Sequence, residues 1–316
     1  MQSAVVVALM SFLVFVGVNL VGDPVEMLIN PESDQAEIDR VMTSMGLDKP
    51  WYVQYGYFVS NALRGDLGSS FIYGEPALQI IVLRIPATFE LALVALLLAI
   101  VIGIPLGVYA GLFSESKISK TIMAGSILGF SLPTFWVGLM FIMVFAVMLG
   151  WLPSTGRGET VPVLGMEVSF LTMDGLRHLI LPALNLALFK ISLVIRLARA
   201  GTREAAQQDY IKFARAKGLS TGRVIFVHLL KNIMIPVVTV LGLEFGGLIA
   251  FSVVTETVFA WPGMGKLIID SIQNLDRPVI VAYLMIIVLI FVIINLAVDL
   301  LYSVLDPRVR LQDAKG

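Results

Sequence analysis

The chain has 316 residues, of which 58% are apolar and 14% are charged, whereas soluble proteins average about 45–50% and about 25%. This composition excludes an ordinary cytosolic domain and predicts a polytopic membrane protein. A net charge of -1 provides no basic field for nucleic acid, so we expect no nucleic-acid partner. The absence of cysteine excludes disulfides and a cysteine nucleophile, and two distant histidines, His178 and His228, do not suggest a metal site.

Six stretches are long and apolar enough to cross about 30 Å of hydrocarbon as helices, which takes roughly 20 residues each. Their apolar residues are continuous rather than alternating, which favours an all-α protein over a barrel. The first stretch is predicted to be a retained span and not a signal peptide, because no basic residue lies before it. The first Lys or Arg in the sequence is Arg40, which follows the stretch. The predicted spans cover approximately residues 4–21, 87–113, 121–150, 176–200, 233–255 and 278–304.

The distribution of basic residues between the two sets of loops predicts the orientation. The first set, residues 113–120, 196–231 and 305–316, holds 13 Lys and Arg residues. The second set, residues 23–84, 151–177 and 259–277, is longer but holds 8. Under the positive-inside rule the first set, with both termini, is cytoplasmic. We therefore divide the chain into four segments: a first transmembrane helix (1–22), an outer helical segment (23–84), a five-helix core with an inner loop at 200–231 (85–304), and a cytoplasmic tail (305–316).

The outer segment is predicted to contain two short helices. Asp34 and Glu37 form the pattern of a capping box, and Gly46 is placed to end that helix. A second helix is expected from Pro50, with an aromatic face that includes Tyr52 and Tyr55. Two interpretations stay open here: a structural cap over the spans, or a docking surface for a component delivered from outside.

The inner loop contains an amphipathic helix from Asp209 to Lys217, and Gly218 stands where such a helix ends. Tyr210, Phe213 and Ala214 are predicted to share one side of it. A basic helix of this kind can lie on membrane lipid or contact a protein partner, and residue spacing does not decide between them.

The segment Ala214–Leu219, preceded by Asp209-Tyr210, resembles the cytoplasmic loop of ABC-importer permeases of the peptide/nickel subfamily. Lys212 and Leu230-Lys231 depart from the general form of that loop. Further segments in the order of the subfamily are Gly22-Asp23-Pro24, Leu63–Gly68, Pro86-Ala87-Thr88, Leu149–Pro153, Glu256–Gly265 and Asn295–Arg308.

The resemblance implies a type I-like fold of six transmembrane helices in the bacterial inner membrane, and a permease subunit that imports peptides. Nickel chelates, glutathione or opines are alternative cargoes within the subfamily. It also implies four kinds of partner: a second homologous permease, two ATP-binding subunits, a periplasmic substrate-binding protein and membrane lipid. The chain has no Gly-rich phosphate-binding motif, so we expect no enzymatic activity and no cofactor here, with ATP and Mg bound by the ATPase partners.

The resemblance further implies that the inner-loop helix couples the permease to the ATPase. Phe213, Ala214 and Ala216 would pack against the ATPase, Arg215 and Lys217 would meet its acidic groups, and Gly218 would permit the turn. The predicted coupling residues are Asp209, Tyr210, Phe213, Ala214, Arg215, Ala216, Lys217, Gly218 and Leu219.

Two charged residues lie near the middle of predicted spans, Lys190 in the fourth and Glu244 in the fifth. A charge at that depth costs about 2.5–3.5 kcal/mol on insertion scales, so each is expected to face protein, water or the other. They are candidates either for the translocation pathway or for a structural ion pair. An ion-coupled secondary transporter is the alternative from a different class, and it would move substrate without an ATPase.

Overall fold

The computed structural model describes residues 2–20 and 49–305, and helix dominates both parts. The predicted helix after Asp34 and the tail from residue 306 lie outside the described residues. The α-helices are α1 (Gln2–Leu20), α2 (Trp51–Leu63), α3 (Ala77–Leu112), α4 (Lys117–Ser131), α5 (Thr134–Phe141), α6 (Met173–Ala206), α7 (Asp209–Ala216), α8 (Thr221–Arg223), α9 (Leu230–Val258), α10 (Met264–Gln273) and α11 (Arg277–Leu305). π-Helical segments at Ile142–Met148 and Val224–Leu229 follow α5 and precede α9, and strands β1 (Val161–Val163) and β2 (Met166–Val168) form an antiparallel hairpin.

Four described helices are long and apolar enough to cross a membrane: Ala77–Leu112, Met173–Ala206, Pro236–Val258 and Arg277–Val298. They correspond to the second, fourth, fifth and sixth predicted spans. The first predicted span is a shorter apolar stretch, Val5–Gly17, within α1. The all-α membrane fold is therefore confirmed, whereas six full-length spans are not established.

The third predicted span is not one continuous helix. It consists of α4 and the helix Thr134–Met148, which meet at an angle of 107°. Leu132, between them, has an extended backbone with φ -81° and ψ 136°. Pro133 explains the break, because proline disfavours the helical conformation in the preceding residue and lacks the N–H that would continue the ladder. The proline is visible within the apolar run, but the sequence does not give the angle of the bend.

The described residues divide into two compact units, the first holding 2–20, 49–84 and 267–292, and the second holding 85–266 and 293–305. In the first unit, α2 packs on α1, with Ser11 Oγ and Tyr55 Oη 2.8 Å apart and the rings of Phe12 and Tyr55 edge to face. The predicted helix after Pro50 is thus confirmed, and its Trp51 and Tyr52 are exposed.

In the second unit, α3 packs closely against α6 along a row of glycines. A Cβ atom added at Gly103, Gly107 or Gly111 would lie 2.5–2.7 Å from side chains of α6. These side chains are Val194, Ala198 and Thr202. Such close approach of two backbones increases dispersion contact between helices in a bilayer, where water gives no hydrophobic drive. The glycines therefore serve helix packing.

Candidate functional site

Helix α7 is held to the protein by one apolar face. Ile211 and Ala214, three positions apart, are buried in a cluster with Ala205 of α6, Val224 and Leu229. Residues i and i+3 share a helix face, so this pair fixes which side of α7 points inward. Ile211 is not among the residues predicted from the sequence, although its spacing from Ala214 is a signal for a shared face.

The opposite face of α7 projects from the chain. Phe213 is 62% exposed, and Arg215, Ala216 and Lys217 are exposed as well. The expectation that Ala214 packs against a partner is wrong, because this side chain is buried within its own chain. Phe213 and Ala216 are the apolar residues on this exposed face, and the cations Arg215 and Lys217 flank them.

Gly218 ends α7 in the manner that the sequence predicts. Its φ is +78°, and its N–H donates a 2.9 Å hydrogen bond to the carbonyl of Arg215. This left-handed conformation carries a steric cost for residues with a Cβ atom. No atom lies within 4 Å of the position that a Cβ at Gly218 would occupy, so backbone conformation rather than space demands glycine.

The first residues of α7 make two polar contacts within the described part of the chain. Asp209 Oδ1 accepts a 2.9 Å hydrogen bond from Lys212 Nζ, and this contact together with the lysine charge lowers the pKa of Asp209. Tyr210 Oη accepts a 2.5 Å hydrogen bond from Asn232 Nδ2 on α9. Tyr210 therefore links α7 to α9, whereas the exposed Asp209–Lys212 pair lies within α7 itself.

Lys190 and Glu244 form an ion pair between α6 and α9. The side chain of Lys190 is 9% exposed and that of Glu244 is 36% exposed. Lys190 Nζ also lies 5.3 Å from the ring centroid of Phe189, which stacks on Phe130 at 4.4 Å. The pair thus neutralises two membrane-depth charges, and its acid is more accessible than its base.

Glu90 on α3 holds the loop that precedes α6 within the second unit. Its Oε2 accepts hydrogen bonds from Arg157 Nη2 at 2.5 Å and Nε at 3.1 Å, and its Oε1 accepts from the N–H and hydroxyl of Ser169. Arg157 also donates to the carbonyl of Glu167 in the β-hairpin. This pair is not among the residues predicted from the sequence, although a carboxylate inside a predicted span is a signal for it.

A second buried carboxylate, Glu256 near the end of α9, organises the turn into α10. It accepts hydrogen bonds from the hydroxyls of Thr88 and Ser252 and from the N–H groups of Gly265 and Lys266, at 2.7–3.0 Å. Trp261 is fully buried in this turn, and its Nε1 donates to the carbonyl of Ala87 at 2.9 Å. The segment Glu256–Gly265 is one of the predicted motifs, but the motif alone does not identify the carboxylate as its centre.

Comparison with known proteins matches residues 103–311 to the binding-protein-dependent transport system inner membrane component family. The chain is 39% identical over 304 residues to a di/tripeptide transport system permease protein of Pseudomonas aeruginosa (strain UCBPP-PA14), covering 92% of this chain and 90% of the relative. It is 41% identical over 290 residues to an oligopeptide transport system permease protein of Bacillus subtilis (strain 168), with coverages of 92% and 90%. A glutathione transport system permease protein of Escherichia coli (strain K12) is 37% identical over 303 residues, with coverages of 96% and 94%.

The fold is similar to that of a solved methionine ABC transporter in an inward-facing conformation, with a TM-score of 0.57 and 17% sequence identity. The match covers 72% of this chain and 97% of the solved one. Several apolar spans define a multi-pass membrane protein, and the relatives described above are transport system permease proteins. The chain belongs to the binding-protein-dependent transport system inner membrane component family. It is a multi-pass permease subunit of an ATP-binding-cassette importer in the inner membrane, as the sequence motifs predicted.

Proposed function

We propose that this permease imports short peptides with free termini. The three relatives described above carry permease names for di/tripeptide, oligopeptide and glutathione transport, and glutathione is itself a tripeptide. A peptide brings an ammonium and a carboxylate through the membrane, and Lys190 and Glu244 supply one charge of each sign between two spans. Nickel-chelate or opine import is the alternative cargo assignment.

Membership of the transport family, together with the exposed face of α7, supports the partners that we propose. A second homologous permease completes the pathway, two ATP-binding subunits hold ATP and Mg, and a periplasmic binding protein delivers the peptide. Phe213, Arg215, Ala216 and Lys217 contact one ATP-binding subunit, and both termini of the permease are cytoplasmic. ATP hydrolysis belongs to those partners, and the permease converts their movement into rearrangement of its spans.

The observation that carries this proposal is the packing of α7 on α6 and on the π-helical segment Val224–Leu229 that leads into α9, together with the hydrogen bond from Asn232 of α9 to Tyr210. Helices α6 and α9 carry Lys190 and Glu244. A displacement of α7 by an ATPase therefore acts on the helix pair that holds the membrane-depth charges. Closure of the ATPase pair shifts the population between two arrangements of α6 and α9. Binding energy in the ATPase subunits thereby changes the access of substrate to the pathway in the permease.

Single-cysteine cross-linking tests the partner assignment directly, because the natural chain has no cysteine. Lys217→Cys and Ala216→Cys, expressed in the host in place of the natural chain, are expected to cross-link to an ATP-binding subunit. Leu164→Cys at the tip of the β-hairpin is the matched control, since Leu164 is also exposed and lies in a predicted outer loop. Equal cross-linking from Leu164, or none from α7, contradicts the assignment.

Uptake measurements test the cargo. Cells with the natural chain are expected to accumulate a labelled dipeptide in an ATP-dependent manner, and cells without it are not. Uptake of a nickel chelate or an opine with no peptide uptake contradicts the peptide assignment. Uptake that survives ATP depletion and stops when the ion gradient is dissipated supports the secondary-transporter alternative instead.

A further inference from the structure

Arg277, the first residue of α11, is a buried cation at the end of a candidate membrane span. The residue is 9% exposed, and its Nη1 atom is buried without a hydrogen-bond acceptor among the described residues. No ion pair within the described ranges 2–20 and 49–305 includes it. Because removing a guanidinium from water without a counter-charge is costly, the position favours an anion.

The neighbouring carboxylate does not supply that anion. Asp276 is fully buried and accepts hydrogen bonds from Ser70 Oγ and, at 3.3 Å, from the N–H of Phe71. These contacts direct Asp276 toward the loop before α3 rather than toward Arg277. Asp276 therefore does not pair with the guanidinium of Arg277.

A cavity of about 360 Å³ lies beside Arg277 between α1 and α11, within the first unit. Every other lining residue is apolar or glycine: Met10, Leu13, Val14, Gly17, Ile280 and Leu284. A second cavity of about 640 Å³ continues along the same two helices, with Val7, Ala8, Met285 and Ile286 among its lining residues. The seam between α1 and α11 thus offers apolar space next to one cation.

We propose that this seam binds a phospholipid, with the phosphate on Arg277 and an acyl chain in the cavity. Arginine pairs with phosphate through parallel charge-assisted hydrogen bonds, which matches the available guanidinium. The apolar walls favour a lipid over free inorganic phosphate, which has no part that could bury them. Arg277 and Leu284 are seven residues apart, or about 10 Å along the helix, which fits within one leaflet of a hydrocarbon core of about 30 Å.

Lipid titration of the delipidated full chain in detergent tests this site. Native mass spectrometry reports how much phosphatidylglycerol binds, and diacylglycerol with the same acyl chains shows what the phosphate adds. Arg277→Gln is compared with Arg64→Gln, an exposed arginine of the same unit. Leu13→Trp, which fills the cavity from a half-exposed position, is compared with Leu9→Trp, an exposed α1 residue that lines neither cavity.

We expect Arg277→Gln and Leu13→Trp each to weaken phosphatidylglycerol binding at least tenfold, while both control variants stay within twofold of the natural chain. Diacylglycerol is expected to bind the natural chain and Arg277→Gln equally weakly. Circular dichroism confirms that each variant keeps its helices, and Leu13→Trp keeps the test decisive if Arg277→Gln does not fold. Equal phosphatidylglycerol binding by Arg277→Gln and Arg64→Gln overturns the proposal. So does a natural chain that retains no lipid, or one that binds inorganic phosphate alone as tightly as phosphatidylglycerol.

Discussion

Thr88 on α3 donates a 2.8 Å hydrogen bond from Oγ1 to Oε1 of Glu256 on α9, although 168 positions separate the two residues. The same Thr88 oxygen accepts a 2.8 Å hydrogen bond from the N–H of Met264. One buried hydroxyl therefore joins α3, the end of α9 and the first residue of α10. This contact keeps the Trp261 turn fixed against two spans.

Thr88→Val is expected to destabilise the protein, because it keeps the shape of the side chain and removes both hydrogen bonds. Loss of these partners inside the protein costs about 1–3 kcal/mol for each buried group left unsatisfied. Thr88→Ser retains the hydroxyl and is the matched control. Thermal unfolding of the purified chain in detergent measures the difference, and identical melting of the two variants would contradict the proposed role of the contact.

Gly107→Ala is expected to destabilise the chain through a clash between α3 and α6. The added Cβ would lie 2.6 Å from the Cβ of Ala198 and 2.7 Å from the carbonyl oxygen of Ile195. Gly125→Ala in α4 is the control, since nothing lies within 4 Å of its Cβ position. There alanine improves helix propensity by up to about 1 kcal/mol. Opposite shifts of the melting temperature are expected, and shifts of the same sign would show that this packing is looser than the structure indicates.

A double-mutant cycle measures the link between Lys190 and Glu244. Lys190→Met and Glu244→Gln each leave the partner charge uncompensated at membrane depth. The double variant is therefore expected to be more stable than the sum of the two single effects predicts. We expect a coupling energy of at least about 1 kcal/mol in detergent unfolding. Additive effects would show that the contact does not contribute to stability. Peptide uptake by the same four proteins then shows whether the pathway needs the two charges.

Gly218→Val is expected to abolish peptide uptake while the complex still reaches the membrane. A β-branched residue at φ +78° disfavours the turn that presents Lys217 and ends α7. Gly218→Asn is the control, because asparagine tolerates the left-handed conformation and is expected to retain most of the uptake. Uptake assays together with membrane quantification separate coupling from assembly. Normal uptake by Gly218→Val would remove α7 from the coupling mechanism.

Several features of the candidate site are readable from local patterns. The start of α7 at Asp209 and its end before Gly218 follow from helix formers and a terminating glycine, and both are observed. The buried face of α7 is predicted less accurately. The sequence pattern places Phe213 on the same side as Ala214, whereas in the structure Ile211 accompanies Ala214 in the core. A short helix with apolar residues on several sides has no unique buried face until its neighbours are known.

The sequence by itself determined the membrane class and the positions of the apolar spans, because a bilayer demands long runs without charge and a helical backbone that satisfies its own hydrogen bonds. Only the tertiary structure decided the 107° bend at Pro133, the joining of Lys190 to Glu244, and the gathering of distant donors around Glu256. Hydropathy reports how well each residue tolerates lipid. The angles between helices and the partners of buried charges depend on which surfaces pack together, and local composition does not specify those contacts.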